Sequence, residues 1–199
     1  MATSNYSGRR VKLIICSLCG LWLFTLTGCG SVFKVAPLPK TPSPDHIIEA
    51  ASGSLSASAA LLKDDERSFT QFGANLPLAG IIAVEVQLTN RANQAITPRA
   101  LKFELRDTAG ANYKQLAPKK ALDRLMKFYG KSSYVKDSYQ QTRDSFELLA
   151  LPVASALEPQ KERRGFIFFE AKRDVLSLTG LTLSITGGSA PIKLKLNEQ

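Results

Sequence analysis

The regular alternation of apolar and polar residues is the feature of this sequence that most constrains its fold. Residues 81–88 carry an apolar side chain at every even position, with a glutamate and a glutamine at positions 85 and 87. A period of two places these apolar side chains on one face of a β-strand. The other segments predicted as strands are 54–62, 101–106, 164–170, 181–185 and 192–196. Several short antiparallel strands predict a mainly β domain, for which a β-sandwich is the natural architecture.

Two turns and one helix complete the pattern. Asp107 and Gly110 indicate a turn after the strand at 101–106, and Gly187 with Gly188 indicates a hairpin near the C-terminus. Between the strands, residues 118–129 place apolar side chains at i, i+3, i+4 and i+7, which predicts one inserted short helix that ends at Gly130. We expect the polar stretch 131–145 to be a loop or a frayed extension of that helix.

The N-terminus has the pattern of a targeting segment. Residues 1–12 contain Arg9, Arg10 and Lys12 and no acidic residue, and residues 13–26 form a nearly uninterrupted apolar run. A helix of that length covers only about 21 Å, against about 30 Å for the hydrocarbon core of a bilayer. The run is therefore too short for a permanent transmembrane helix, and residues 1–28 are predicted to be a signal peptide.

The sequence Leu26-Thr27-Gly28-Cys29 directly follows the apolar run and resembles the lipobox of bacterial lipoproteins. The resemblance implies cleavage between Gly28 and Cys29 and attachment of diacylglycerol to the Cys29 thiol. Gly30 stands where an aspartate would be the usual inner-membrane retention signal, so the resemblance implies an anchor on the periplasmic face of the outer membrane. The alternatives are an ordinary secretory signal whose cleavage site lies near a cysteine, and a short buried core helix.

Processing at Cys29 would change the composition. The whole chain has 26 basic and 17 acidic residues, a net charge of +9, and loss of residues 1–28 would leave 23 against 17, or +6. Cys16 and Cys19 would be removed, so their spacing would form neither a redox nor a metal motif. The mature chain would begin with a proline-rich tether at 29–45, because closely spaced prolines favour extended backbone. The β domain would then occupy 46–199.

The region from about residue 72 to the C-terminus also resembles the immunoglobulin-like, telokin-like domains of unknown function in secreted bacterial lipoproteins. The residues that carry this resemblance are Val86-Gln87-Leu88-Thr89-Asn90, Phe103-Glu104-Leu105-Arg106-Asp107 with Gly110, Leu157-Glu158-Pro159 and Gly165-Phe166-Ile167-Phe168-Phe169. It implies an immunoglobulin-like antiparallel β-sandwich, into which the helix at 118–129 would be inserted. For function it implies a surface-associated accessory domain.

Few residues suggest catalysis. His46 is the only histidine, and it lies at the exit of the proline-rich tether, where a catalytic base would be poorly held. A Ser-His-Asp or Cys-His arrangement has no other imidazole to use. The acidic run 64–66 is contiguous, whereas an EF-hand loop needs alternating acids, so we interpret it as a solvated turn. The sequence also lacks a usual set of zinc ligands and a glycine-rich phosphate loop. We therefore expect no catalytic residue, no metal and no cofactor, and a protein that is not an enzyme.

Basic and aromatic residues around the predicted helix are the candidates for partner binding. They are Lys120, Arg124, Lys127, Tyr134 and Tyr139. Export argues against a nucleic-acid partner, whereas anionic headgroups or an envelope protein would fit a basic surface. The sequence thus predicts a membrane-anchored envelope lipoprotein that serves as a binding or structural accessory. The alternatives are a subunit of a secretion or envelope assembly, such as the sandwich lipoprotein of type VI secretion, and a wall-active hydrolase.

Overall fold

A computed structural model describes residues 32–40, 48–131, 136–172 and 174–196. Within these ranges, eight antiparallel strands form one sheet in the order β1-β2-β3-β6-β5-β4-β7-β8. In chain order the strands are β1 (Ile48–Ser52), β2 (Leu55–Leu62), β3 (Ile81–Asn90), β4 (Lys102–Arg106), β5 (Asn112–Leu116), β6 (Glu162–Glu170), β7 (Thr182–Thr186) and β8 (Ile192–Lys195). The predicted mainly β, antiparallel domain is therefore confirmed.

The sheet curls until its two edge strands meet. β1 and β8 stand at opposite ends of the strand order, yet they lie next to each other in space. Bringing the edges together covers backbone N–H and C=O groups that could otherwise pair with a strand of another chain. The result is a nearly closed barrel made of one sheet, where the sequence predicted a sandwich of two facing sheets.

The barrel interior is filled by the alternating residues of the strands. On β3, the side chains of Ile82, Val84 and Val86 are completely buried and point to the inside, and those of β4 and β7 join them from the opposite wall. Neighbouring residues on the same strands point outward. The period of two in the sequence is thus the division between the inner and outer faces of the barrel.

Helices cover part of the outer face. They are α1 (Asp65–Phe72), α2 (Pro118–Phe128) and α3 (Lys136–Leu149). Phe72 and Phe146 from the helices pack against Phe166 and Phe168 of β6, with ring centroids 5.1–5.9 Å apart. This aromatic cluster is the centre of a second core, outside the barrel, that attaches all three helices to the sheet.

Most of the predicted strands and turns are confirmed. The strand at 81–88 is β3, the glycine pair at 187–188 lies between the paired strands β7 and β8, and the predicted helix is α2. Gly130 follows α2 with a φ of 63°, a left-handed conformation that glycine adopts without steric cost. Gly110 closes the turn after β4 by donating its N–H to the carbonyl of Asp107 at 3.0 Å.

Two expectations were wrong. The stretch 131–145 was expected to be a loop or a frayed extension of the predicted helix. Residues 136–149 instead form the fourteen-residue helix α3. The acidic run 64–66 is not a turn between strands but the start of α1, where Asp64 caps the helix by accepting a hydrogen bond from the Arg67 N–H at 2.7 Å. Three α-helices are described where one was predicted, and β1 and β5 were not anticipated.

The described part of the segment predicted as a tether lies against the domain. Phe33 is buried in the outer core, and the Val32 N–H donates to the Thr142 hydroxyl of α3 at 3.0 Å. Further along, the Ala36 N–H donates to the carbonyl of Gln71 at 2.8 Å. Among the described residues, no helix is long and apolar enough to cross a bilayer.

Candidate interaction surface

The residues predicted for partner binding lie on or near α2. Proline at the first position of the helix fits there because its missing N–H has no acceptor within the helix. Ala121, Leu122, Leu125 and Met126 are buried against the sheet, which leaves the opposite face of α2 to solvent. Lys120 and Lys127 are exposed on that face.

Arg124 connects α2 to the sheet. Its guanidinium donates to the Glu170 carboxylate at 2.7 Å and to the carbonyls of Ala79 and Ala171 at 2.9 and 3.3 Å. The side chain is about one-third exposed. Its contacts join the C-terminal end of β6 and the turn before β3, so Arg124 has a structural task within the domain.

Tyr139 likewise makes a contact inside the domain. Its hydroxyl donates to the Asp123 carboxylate at 2.7 Å and so bridges α3 to α2. Tyr134 lies outside the described residues, as do Gly28, Cys29 and His46. The predicted set therefore divides into two exposed lysines, two braced side chains and one residue that is not described.

Aromatic contacts connect the N-terminal segment to the end of α2. The rings of Phe33 and Tyr129 are 5.6 Å apart, and those of Tyr129 and Phe128 are 5.1 Å apart. The Tyr129 hydroxyl also accepts a hydrogen bond from the Asn75 N–H at 2.9 Å. Phe33 is buried and Tyr129 is partly buried, but Phe128 remains 51% exposed.

Beside Phe128 lies a shallow depression of about 490 Å³. Leu78, which is 54% exposed, and Phe128 supply its apolar lining, and Lys172 and Asp174 supply charged groups. We call the surface formed by Lys34, Leu78, Lys127, Phe128, Lys131 and Lys172 the helix-end face. On this face, two of the large exposed apolar side chains, Leu78 and Phe128, lie near basic side chains and the docked N-terminal segment. Lys127 was predicted from the sequence but Leu78 and Phe128 were not, since exposure of an apolar residue has no signal in the sequence.

A second cavity opens where the sheet is incompletely paired. β5 pairs with β6 only from Lys114 to Leu116, so the first half of β6 has no β5 neighbour. The gap is a mostly apolar cleft of about 360 Å³, lined by Phe103, Leu151 and Val153 among others. Its lining includes residues of the inner core, such as Leu151, and of the outer core, such as Phe168.

In the described part of the chain, no group of three or more histidine, cysteine, aspartate or glutamate side chains is placed to hold a metal ion. A buried ion pair, Arg164 with Glu85 at 3.3 Å, lies on the outer face of the sheet between β6 and β3. The charged groups of the helix-end face are exposed lysines, and beside it lies Asp174, which caps a short 3₁₀ turn by accepting from the Leu176 N–H.

Comparison with protein-family models and with curated proteins gave no match. Among solved structures, the chain resembles a conserved hypothetical protein from Bacillus anthracis, with 10% identity and a TM-score of 0.35 over 74% of this chain and 92% of that one. It also resembles an apag protein from Pseudomonas aeruginosa, with 12% identity and a TM-score of 0.27 over 74% of this chain and 84% of that one. Similarities at this level assign neither a family nor a function.

Proposed function

We propose that this protein is a bacterial envelope lipoprotein, anchored through acyl chains on Cys29, that acts as a non-catalytic binding or structural accessory. The observation that carries the proposal is the lipobox-like Leu26-Thr27-Gly28-Cys29, placed directly after a basic segment and an apolar run of signal-peptide length. A thioether-linked lipid needs a cysteine thiol, and Cys29 stands at the position where processing would make it the first residue.

The anchor would be strong enough to fix the protein to a membrane. Each buried methylene contributes about 0.8 kcal/mol, and two or three acyl chains together hold a protein stably. In the proposed mature chain, the domain would remain in the aqueous compartment beside the bilayer. The periplasmic face of the outer membrane is the proposed location, because Gly30 follows the cysteine instead of aspartate.

An accessory role fits the kinds of surface that the domain carries. The helix-end face exposes apolar side chains beside basic ones, and exposed apolar surface rimmed by polar groups marks interaction sites. On the sequence motifs alone, we also propose that the domain is related to the immunoglobulin-like domains of lipoproteins. A subunit of an envelope assembly would use the same anchor and differ only in its partner.

Replacement of the lipidated cysteine tests this proposal. In a bacterial host, we expect Cys29→Ala to abolish incorporation of a labelled fatty acid and to prevent cleavage before residue 29. The matched control is Cys19→Ala, which removes a cysteine from the apolar run and should leave labelling unchanged. Equal labelling of wild type and Cys29→Ala, or no labelling of wild type, would contradict the proposal.

A further inference from the structure

We propose that the helix-end face lies against the phospholipid headgroups of the leaflet that holds the anchor, so that the barrel stands on the membrane in one orientation. This inference rests on the proposed lipid anchor at Cys29 and goes beyond it, because an anchor alone does not orient a domain. The occupant of the face is the headgroup layer of a membrane containing anionic phospholipid.

The length of chain after the cysteine supports a close approach. In a mature protein that began at Cys29, only Gly30 and Ser31 would lie between the lipidated cysteine and Val32, the first docked residue. Three residue steps span at most about 11 Å when fully extended. The proline-rich part of the sequence begins after Val32, and residues 32–40 lie against the domain. It therefore cannot act as a long spacer between the lipid and Val32. The surface around Val32 would therefore be held near the headgroups.

That surface leads directly to the helix-end face. The Phe33–Tyr129 and Tyr129–Phe128 ring contacts place the rings of Phe33 and Phe128 within about 11 Å of each other. The backbone of Lys34 packs against Gly73, where an added Cβ would lie 2.5 Å from the Lys34 nitrogen. The docked segment and Phe128 thus belong to one continuous surface.

The side chains of this surface suit an interface between water and lipid. Phe128 and Leu78 each expose more than half of their surface, and they line the same depression. Entry of such apolar side chains into the boundary between headgroups and acyl chains lowers the free energy of the membrane-bound state. About half of each side chain stays uncovered within the described part of the domain, and in the proposed orientation the membrane covers that half.

Charge on the helix-end face favours an anionic surface. Lys34, Lys127, Lys131 and Lys172 are exposed there. Near an anionic membrane, each lysine adds up to about 1 kcal/mol. Of the acidic groups near them, Glu170 is paired with Arg124, and Asp123, one helical turn before Lys127, accepts a hydrogen bond from Tyr139. Asp174 lines the same depression as Lys172 and opposes the lysines.

The opposite end of the barrel provides a reference position that the proposed orientation places far from the membrane. β3 runs from Ile81, beside the depression, to Asn90, and ten residues of strand span about 30 Å. Asn93 is exposed in the turn after β3. Basic side chains such as Arg91 occur at that end too, so the orientation follows from the anchor and from the exposed apolar pair more than from charge.

Site-specific fluorescence on the intact lipoprotein tests the orientation. A mature chain with Cys29 in a thioether would have no other cysteine, so Phe128→Cys, Lys127→Cys and Asn93→Cys would each present one thiol for a fluorophore. Lipidation of each preparation is first verified by mass, and its absence would count against the proposed function alone. The labelled proteins are then reconstituted into vesicles of phosphatidylethanolamine and phosphatidylglycerol that contain a quencher on the headgroups.

We expect several-fold stronger quenching at positions 127 and 128 than at position 93, and weaker quenching at 127 and 128 when phosphatidylcholine replaces both lipids. Lys127→Cys gives the same reading if Phe128→Cys does not fold. Equal quenching at the three positions of a lipidated protein, or stronger quenching at 93, would overturn the orientation. Protection of position 128 in native membranes but not in pure lipid vesicles would also overturn it, in favour of a protein partner on this face.

Discussion

At the scale of single residues, Gly165 shows how closely the chain packs where β6 passes Leu151. Gly165 pairs with Val86 on β3, and the position of an added Cβ would lie 2.5 Å from the Leu151 nitrogen and Cα. Both of these are backbone atoms, which cannot move aside as a flexible side chain would. Glycine is therefore required here for close approach and not for an unusual φ.

Substitution of Gly165 should destabilise the domain. We expect Gly165→Ala to lower the free energy of unfolding by about 1–3 kcal/mol, because the extra methyl group overpacks a rigid contact. The control is Gly188→Ala, whose added Cβ would meet nothing closer than the Ala190 carbonyl oxygen at 4.0 Å. Urea unfolding followed by circular dichroism measures both. Equal effects of the two substitutions would contradict the packing argument.

Residue roles were harder to predict than residue positions. The sequence indicated that Arg124 belongs to a basic helix surface, and Arg124 does lie on the helix α2. Its guanidinium nevertheless binds groups 45–47 residues away, at Ala79, Glu170 and Ala171. No local pattern encodes such contacts, because they depend on how distant segments meet in the fold.

At the scale of elements, the missed helices share a physical cause. In α3 the buried positions are Ser138, Thr142, Phe146 and Leu149, which follow helical spacing but include two polar residues. In α1 the buried pair is Ser68 and Phe72. Periodicity of apolar residues is weak when small hydroxyl side chains supply half of the buried face. Thr142 fits there because its hydroxyl donates to the Ser138 carbonyl at 2.8 Å.

The two unpredicted strands also lack an apolar signal. In β5 only Tyr113 is buried, and Leu116 is partly buried. β1 alternates between partly buried and exposed residues, as an edge strand does. Their pairing with neighbours, and not their own composition, makes them strands, and pairing partners cannot be derived from local sequence.

The start of α1 gives a prediction at this scale. We expect Asp64→Ala to lower the free energy of unfolding by about 1 kcal/mol, since it removes the acceptor that caps the helix. Asp64→Asn keeps a capping oxygen and should change stability by much less. Thermal and urea unfolding of the two variants decide the matter. A loss with Asn as large as the loss with Ala would show that the charge, and not the cap, stabilises α1.

At the scale of the whole molecule, the barrel depends on contacts between distant parts of the chain. The central pairing joins β3 to β6, with Val84 opposite Ile167, and closure brings β1 to β8. Strong alternation at 81–88 and the run of apolar and aromatic residues at 166–169 let both strands be predicted individually. How a sheet curves and whether its edges meet depends on the twist of all its strands together. For that reason the sequence indicated a mainly β domain but not a nearly closed barrel.

The proposed lipoprotein joins an anchor inferred from the sequence to a domain described by the structure. The signal segment, the lipobox-like motif and Cys29 lie outside the described residues, whereas the docked segment from Val32 to Lys40 lies within them. The link between the anchor and the domain is the proposed mature N-terminus. If it lies at Cys29, the helix-end face is held beside a membrane.

The most direct test is the mass of the N-terminal peptide of the mature protein, purified from the membrane fraction of a bacterial host and digested with protease. We predict a peptide that begins at Cys29 and carries a diacylglyceryl group on the sulfur. A mature chain that begins at another residue, or a Cys29 found with a free thiol, would contradict the proposed anchor.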